Sequence, residues 1–399
     1  MRKVLLYSFL LIGGLVGSQL LPPALAESWS AVATVIRVTT MVCLAFLMIH
    51  VGYEFDLDKS NLRQYGWDYV VAATAAAFPW IFVAVYFVLV LGGPGAASSG
   101  QAWKESLLAG RFAAPTSAGV LFSMLAAAGL SATWVFRKAR ILAIFDDLDT
   151  VLLMIPLKMM MVGVRWQLIA IVAVMAVLLG LAWRYLHRVR WPVSWEWVLG
   201  YSAVIVAACE GIYRLSKLID DVVPIHLEVL LPAFVLGCML ARPAGSDPHR
   251  DDAREGHQEG PENPAEQRVS TIVSALFMVF VGLSMPSLAG IRAAGTAWPG
   301  WNMVAGHVLL ITILSNLGKM FPVFCYRREA DWRQRLGLAV GMFPRGEVGA
   351  GVLVVSLSYG ILGLPVAVAM ISLALNLLLT GVFIVIVKRL IAASARARA

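Results

Sequence analysis

The sequence predicts an all-α polytopic membrane protein, and three observations support this fold class. Of its 399 residues, 60% are hydrophobic and only 14% are charged, whereas about a quarter of the residues in a typical soluble domain are charged. Many apolar stretches run for about 20 residues, the length that an α-helix needs to cross the hydrocarbon core of a bilayer. These stretches are continuous and do not alternate, which favours helices over the strands of a transmembrane barrel.

We predict about 12 transmembrane helices from the lengths of these stretches. Their approximate ranges are 2–24, 31–53, 67–92, 105–130, 139–163, 166–186, 195–213, 222–241, 269–289, 302–326, 335–357 and 361–388. Residues 1–26 begin with a basic pair, Arg2 and Lys3, and end near Ala24-Leu25-Ala26. They therefore fit either a retained span or a cleaved secretory signal.

The distribution of lysine and arginine predicts the orientation of the chain. Most of these residues fall in alternate loops and near the two termini, whereas the intervening loops hold few of them. Because positively charged loops remain in the cytoplasm, we expect an integral protein of the bacterial inner (plasma) membrane with a cytoplasmic C-terminus. The net charge of +8 is accounted for by these loops, and we expect no nucleic-acid partner.

One long polar segment, residues 242–268, divides the chain. It is rich in proline, glycine and charged residues, a composition typical of disordered segments, and we predict a disordered cytoplasmic linker. The linker separates residues 1–241, a first transmembrane repeat with connecting helices, from residues 269–399, a second repeat with a short basic tail.

The two parts resemble each other in sequence. Residues Phe46–Gly52 resemble Leu276–Gly282, and Gly110–Phe112 resemble Gly341–Phe343, at nearly equal offsets. The matched spans are an odd number of spans apart, so related spans cross in opposite directions. This arrangement is an inverted-topology repeat, which is the plan of many secondary transporters.

Acidic residues within one span form the densest candidate site. Asp146, Asp147 and Asp149 all lie in the span 139–163, although a charge near the bilayer centre costs at least about 2.5–3.5 kcal/mol. A buried carboxylate that titrates near neutral pH holds either a proton or a cation, and this competition is the simplest antiport mechanism. The alternative interpretation is a set of acids stabilised at a helix N-terminus.

Lys319 and two interrupted helices complete the candidate site. Lys319 is predicted to lie at the same depth as Asp147, either as its partner or as half of a structural salt bridge. Proline and glycine interrupt the spans that contain Thr116-Ser117 and Pro344-Arg345-Gly346-Glu347. Two broken helices that cross at mid-membrane would expose backbone groups to a small ion, whereas the alternative is a pair of packing kinks. We expect Arg345 and Glu347 to compensate each other beside the second break.

These motifs, in this order, resemble those of the monovalent cation/proton antiporter superfamily over nearly the whole chain. The most specific is Pro344-Arg345-Gly346-Glu347, followed by Asp146-Asp147, Gly318-Lys319 and Thr116-Ser117. The resemblance implies a core domain with two crossed broken helices, a separate dimerisation domain and elevator-like alternating access.

The resemblance also implies roles for individual residues. Asp147 would bind both the Na⁺ ion and the proton, and Asp146 would lie alongside and pair with Lys319. Thr116 and Ser117 would line the site. The aspartate pair is similar to that of the electrogenic branch, but the residue two positions after the pair is usually apolar, and here it is Asp149. This possible third acid leaves the coupling stoichiometry open.

The predicted function is therefore secondary active antiport of Na⁺, with K⁺ as a second possible cation, for protons. We expect a homodimer, no cofactor and no enzymatic activity. One alternative is an organic-anion/sodium symporter on a related fold, although such a site should favour neutral and cationic groups. An intramembrane aspartyl protease would need its aspartates on separate helices, and a membrane sensor would need an output domain.

Overall fold

The computed structural model describes most of the chain as helices joined by loops. The described residues are 2–25, 28–55, 62–163, 166–219, 225, 227–241, 264–285, 300–361 and 363–398. Within these ranges the single strand-like feature is an isolated bridge between Val189 and Leu240. The all-helical prediction is therefore confirmed for the part of the chain that the structure describes.

The helices follow the predicted spans closely. They are α1 (Arg2–Leu25), α2 (Trp29–Glu54), α3 (Leu62–Tyr86), α4 (Gly100–Gly110), α5 (Ala118–Ala127), α6 (Trp134–Val162), α7 (Trp166–Arg184), α8 (Trp195–Ile219), α9 (Leu230–Met239), α10 (Pro264–Leu283), α11 (Trp301–Gly318), α12 (Trp332–Gly341), α13 (Glu347–Ser358) and α14 (Leu364–Arg398). In the described part of the chain, eight helical stretches are long and apolar enough to cross a membrane.

Two predicted spans differ from the helices that form. The span predicted at 302–326 ends as an α-helix at Gly318 and continues as a 3₁₀ turn over Phe321–Phe324. Pro322, which lacks a backbone N–H, lies in that turn and cannot continue the α-helical hydrogen bonding. The span predicted at 222–241 forms only α9, while residues 220–224 and 226 lie outside the described residues.

The chain forms two compact units. One comprises Met1–Ile36, Asn61–Met161 and Met278–Ala399, and the other comprises Arg37–Ser60 and Val162–Phe277. Residues 242–263 of the predicted linker lie outside the described residues, and the predicted division of the chain at 242–268 stays a prediction.

Close backbone contacts within the first unit position two of its helix pairs. A Cβ atom on Gly318 would overlap the backbone of Pro79, so only glycine lets α11 approach α3 at this point. A Cβ atom on Gly14 would likewise overlap the carbonyl oxygen of Val279, where α1 contacts α10. The contact at Gly318 also fixes the position of the next residue, Lys319.

The second unit uses a similar contact between α2 and α9. A Cβ atom on Gly52 would overlap the Phe234 carbonyl, and one on Gly237 would overlap the Ile49 carbonyl. An ion pair of 2.9 Å between Arg37 and Glu210 joins α2 to α8 in the same unit.

We predict that Gly318→Ala destabilises the protein by about 1–3 kcal/mol, because the new methyl group must displace the α3 backbone. Thermal unfolding of the purified protein in detergent should show a clearly lower Tm. Gly306→Ala is the matched control, because it lies on the same helix and a Cβ atom there meets nothing within 4 Å. Equal Tm values for the two variants would show that the α3–α11 contact is not as tight as described.

Candidate functional site

The first interruption of a helix lies between α4 and α5. The chain forms a 3₁₀ turn over Arg111–Ala113, and residues 114–117 belong to no helix before α5 begins. Pro115 lacks the N–H that a continuous helix would need. The hydroxyl of Ser117 accepts a hydrogen bond of 3.4 Å from the amide of Val120 and so caps α5.

The second interruption lies between α12 and α13. Residues 342–346 join the two helices and contain Pro344. A Cβ atom on Gly346 would come within 2.9 Å of the Ser117 hydroxyl oxygen, so glycine allows the two interrupted segments to approach each other. Glu347 begins α13, but its side chain lies outside the described residues, and its compensation of Arg345 stays a prediction.

Hydrogen bonds connect the two interrupted segments in both directions. The amide of Ser117 donates to the Pro344 carbonyl at 2.9 Å, and the Thr116 hydroxyl donates to the Met342 carbonyl at 3.0 Å. In return, Nε of Arg345 donates to the Ala113 carbonyl at 2.9 Å. Carbonyls that the broken helices leave without helical partners are thus satisfied by the other segment.

Asp146 on α6 lies where these segments meet Lys319. Its Oδ2 atom accepts a hydrogen bond of 2.8 Å from the Thr116 amide and one of 2.7 Å from the Lys319 ammonium. The side chains of Asp146 and Lys319 are both 0% exposed. Oδ1 of Asp146 has no hydrogen-bond partner among the described residues. One carboxylate oxygen therefore accepts two hydrogen bonds from the protein, and the other accepts none from the described residues.

Asp147 follows Asp146 on the same continuous helix and is also buried. Successive residues of a helix point about 100° apart, so the two carboxylates face different directions from the α6 axis. The positive charge of Lys319 acts on both of them. The predicted site residues Asp146, Lys319, Thr116 and Ser117 are thereby brought together, with Asp147 next to them in the chain.

Arg345 is buried but donates its hydrogen bonds to uncharged groups. Besides the Ala113 carbonyl, Nη1 donates to Oδ1 of Asn316 at 2.8 Å, and Nη2 donates to the Ser315 carbonyl at 2.8 Å. Both acceptors lie on α11, which ends next to Lys319. The Arg345 guanidinium therefore ties the two interrupted segments to the helix that carries the lysine.

Comparison with known proteins assigns the chain to a family. Residues 5–389 match the family model described as the transmembrane sodium/hydrogen exchanger. The chain belongs to this family. The exchangers are transporters, so the predicted membership of the monovalent cation/proton antiporter superfamily is confirmed. The matching residues cover nearly the whole chain, which is an integral membrane protein with several apolar helices.

One solved structure supports the fold of this exchanger. It is the sodium proton antiporter MjNhaP1 from Methanocaldococcus jannaschii at pH 8, with a TM-score of 0.58 and 15% sequence identity. The match covers 98% of the present chain and 91% of the antiporter chain. No curated protein sequence is significantly similar to this exchanger.

The structure adds an ion pair that sequence reasoning did not identify. Arg111, in the first interrupted segment, is completely buried. Its Nη2 atom donates to the backbone carbonyl of Asp149 at 2.9 Å and lies 3.9 Å from Oδ2 of the same residue. The guanidinium also lies over the ring of Trp80, 4.6 Å from the ring centroid. Both partners were visible in the sequence as charges within spans, but no periodicity relates them.

A second buried cluster joins the beginnings of α3 and α6 to the loop before α12. The ammonium of Lys138 lies 3.1 Å from Oδ1 of Asp68 and 3.1 Å from Oε2 of Glu329. The hydroxyl of Tyr326 donates to the same Asp68 oxygen at 2.7 Å. Sequence reasoning interpreted Lys138 as a charge in a cytoplasmic loop, whereas the structure places it between two carboxylates.

We predict that Lys319→Ala lowers the free energy of unfolding by about 3–5 kcal/mol, because it leaves the Asp146 carboxylate buried without its cation. The Tm of the purified protein should fall, while the amount inserted in the membrane changes less. Lys104→Ala, on the half-buried surface of α4, is the control that removes a lysine away from the site. An unchanged Tm for Lys319→Ala would contradict the buried pair.

Proposed function

We propose that this exchanger is a secondary active antiporter that exchanges a monovalent cation for protons by alternating access at Asp146 and Asp147. Na⁺ is the favoured cation and K⁺ is the second. The observation that carries the proposal is the completely buried contact between Asp146, the Lys319 ammonium and the Thr116 amide. Family membership supports Na⁺ and H⁺ as the transported ions.

The contacts of Asp146 support a competition mechanism. A cation bound beside Asp146 and Asp147 competes with the Lys319 ammonium for the same negative charge. A proton on Asp147 removes the charge that holds the cation, so the site carries either protons or the cation. A buried lysine readily gives up its proton, and release of one proton each from Lys319 and Asp147 for one bound cation would move net charge. This count is part of the proposal and would make the exchange electrogenic, as in the branch of the superfamily that has an aspartate pair.

The helices support our proposal of about twelve membrane-crossing segments, the number expected from stretches of this length. In addition to the eight long apolar stretches, α6, which carries the aspartates, and α9 supply one segment each. The interrupted pairs α4–α5 and α12–α13 supply two more.

Two glycine contacts support the inverted repeat. The repeat relates the first predicted span to the eighth and the second to the ninth, which are α1 to α9 and α2 to α10. The contact of α1 with α10 at Gly14 then corresponds to the contact of α9 with α2 at Gly237. Both contacts bring helix backbones together at glycine, as related halves of one fold should.

The remaining proposals concern the setting of the protein. Residence in a bacterial inner membrane with a cytoplasmic C-terminus rests on the distribution of lysine and arginine. The homodimer rests on the resemblance to the superfamily. The organic-anion symporter is not favoured, because the polar groups that converge at the crossing include buried carboxylates.

We predict that Asp147→Ala abolishes exchange in proteoliposomes while the protein still inserts, because it removes the carboxylate that is proposed to hold the cation and the proton in turn. A pH gradient is imposed, Na⁺, K⁺ or choline is added, and the internal pH is followed. Glu105→Gln, at a half-buried position of α4 outside the site, is the carboxylate control and should exchange like the wild type.

The result identifies the cation as well as the site. Dissipation of the gradient by Na⁺ or K⁺ but not by choline supports antiport, and its loss in Asp147→Ala supports the proposed site. Retained exchange in Asp147→Ala would remove Asp147 from the mechanism. Absence of a response to any inorganic cation in the wild type would overturn the antiport proposal.

A further inference from the structure

The third acid of α6, Asp149, has partners that differ from those of Asp146. Its carboxylate lies 3.9 Å from the guanidinium of Arg111, and its Oδ1 atom is 3.5 Å from the hydroxyl of Tyr69 on α3. The hydrogen bonds from Lys319 and from the Thr116 amide both go to Asp146 and not to Asp149. Asp149 therefore interacts with Arg111 and Tyr69, and it lies about one helical turn beyond Asp146.

Helix geometry separates Asp149 from Asp147. Residues two apart on an α-helix point about 200° apart around its axis, so these two carboxylates lie on opposite sides of α6. Residues three apart share a face, which places Asp149 about 4.5 Å along the axis from Asp146 on the same side. A cation held by Asp147 is therefore not within reach of Asp149.

The hydrogen bond from Arg111 does not depend on the charge of the Asp149 side chain. Nη2 donates to the backbone carbonyl of Asp149 at 2.9 Å, while the carboxylate supplies only the opposite charge at 3.9 Å. Among the described residues, Asp149 is the one carboxylate that forms an ion pair with Arg111. A guanidinium does not lose its proton in a protein, so a proton on Asp149 would take away the ion-pair partner of a buried positive charge.

Arg111 also holds the first interrupted segment. It lies in the 3₁₀ turn Arg111–Ala113, which leads directly to Thr116. The Ala113 carbonyl in the same turn accepts from Arg345. The turn is thus bonded to α6 through Arg111 and to the second interrupted segment through Arg345, and both bonds position the Thr116 amide that donates to Asp146.

We propose that Asp149 and Arg111 are a positioning pair in which Asp149 is the fixed counter-charge of Arg111 and carries no transported ion. The proposal rests on the proposed antiport at Asp146 and Asp147 and deepens it. The third acid then adds no proton to the transport cycle, and its role is to neutralise the guanidinium that bonds the first interrupted segment to α6. The ratio of protons to Na⁺ is set by the groups at Asp146, Asp147 and Lys319.

The test compares Asp149→Asn, Arg111→Gln and the double variant that contains both changes. The ratio of protons to Na⁺ is obtained in proteoliposomes from the membrane potential at which an imposed Na⁺ gradient produces no net flux. The KM for Na⁺ is obtained from initial rates, and the Tm of each purified protein is measured as well. The double variant removes both charges together, so it inserts without an uncompensated buried charge.

We expect Asp149→Asn to raise the KM for Na⁺ by about tenfold or more, because the uncompensated guanidinium repels the cation. The double variant should have a lower KM than Asp149→Asn, because it no longer carries the unpaired guanidinium, although it also loses the bond from Arg111 to the Asp149 carbonyl. Both proteins should keep the wild-type ratio of protons to Na⁺. Asp149→Asn and Arg111→Gln should each lower the Tm, and the double variant should lower it by less than the sum of the two single losses.

Three results would overturn the proposal. One is a lower ratio of protons to Na⁺ in Asp149→Asn or in the double variant, which would make Asp149 a carrier of transported protons. Another is a double variant with a KM no better than that of Asp149→Asn. The third is additive losses of Tm, which would mean that the two side chains do not act as a pair.

These results are distinguishable from failure of the proposed antiport. A wild-type protein without cation-dependent proton flux would disprove the antiport proposal, and the Tm comparison would still test the pair. A wild-type protein that exchanges while the ratio changes in Asp149→Asn would disprove only the positioning role.

Discussion

The arrangement of the site depends on one interaction, the acceptance by a single oxygen of Asp146 of hydrogen bonds from the Lys319 ammonium and the Thr116 amide. This oxygen joins α6, the end of α11 and the first interrupted segment. In a buried setting none of the three groups can exchange its partner for water, so separating any one of them is costly. A cation or proton that changes the charge at Asp146 would therefore change the strength of its hydrogen bonds to α11 and to the first interrupted segment.

The interrupted helices exist because proline and glycine stop regular hydrogen bonding at the place where the two segments contact each other. Each segment supplies donors to carbonyls of the other, as in the bond from the Ser117 amide to Pro344 and that from Arg345 to Ala113. Backbone of this kind is tolerated at membrane depth only when it is enclosed by protein or lines a cavity. Here the guanidiniums of Arg111 and Arg345 supply hydrogen-bond donors to such backbone. Both side chains are completely buried and donate to backbone carbonyls.

Much of this arrangement could be predicted from sequence, for identifiable reasons. Continuous apolar stretches predicted the helices, and Pro115 and Pro344 lie where the two helices are interrupted. The partners of Arg111 and Arg345 could not be predicted, because they are backbone carbonyls exposed by the breaks and have no signature in side-chain pattern. Lys138 was interpreted as a loop charge because its position along the chain does not show the carboxylates of Asp68 and Glu329, which come from distant segments.

In the proposed mechanism, protons and the transported cation compete for the same buried groups. The most direct measurement is proton release when Na⁺ is added to the purified protein in weakly buffered alkaline solution, with choline as the control. Competition predicts release of up to about two protons per chain with Na⁺, none with choline, and loss of the response in Asp147→Ala. Binding of Na⁺ without any proton release would contradict this mechanism.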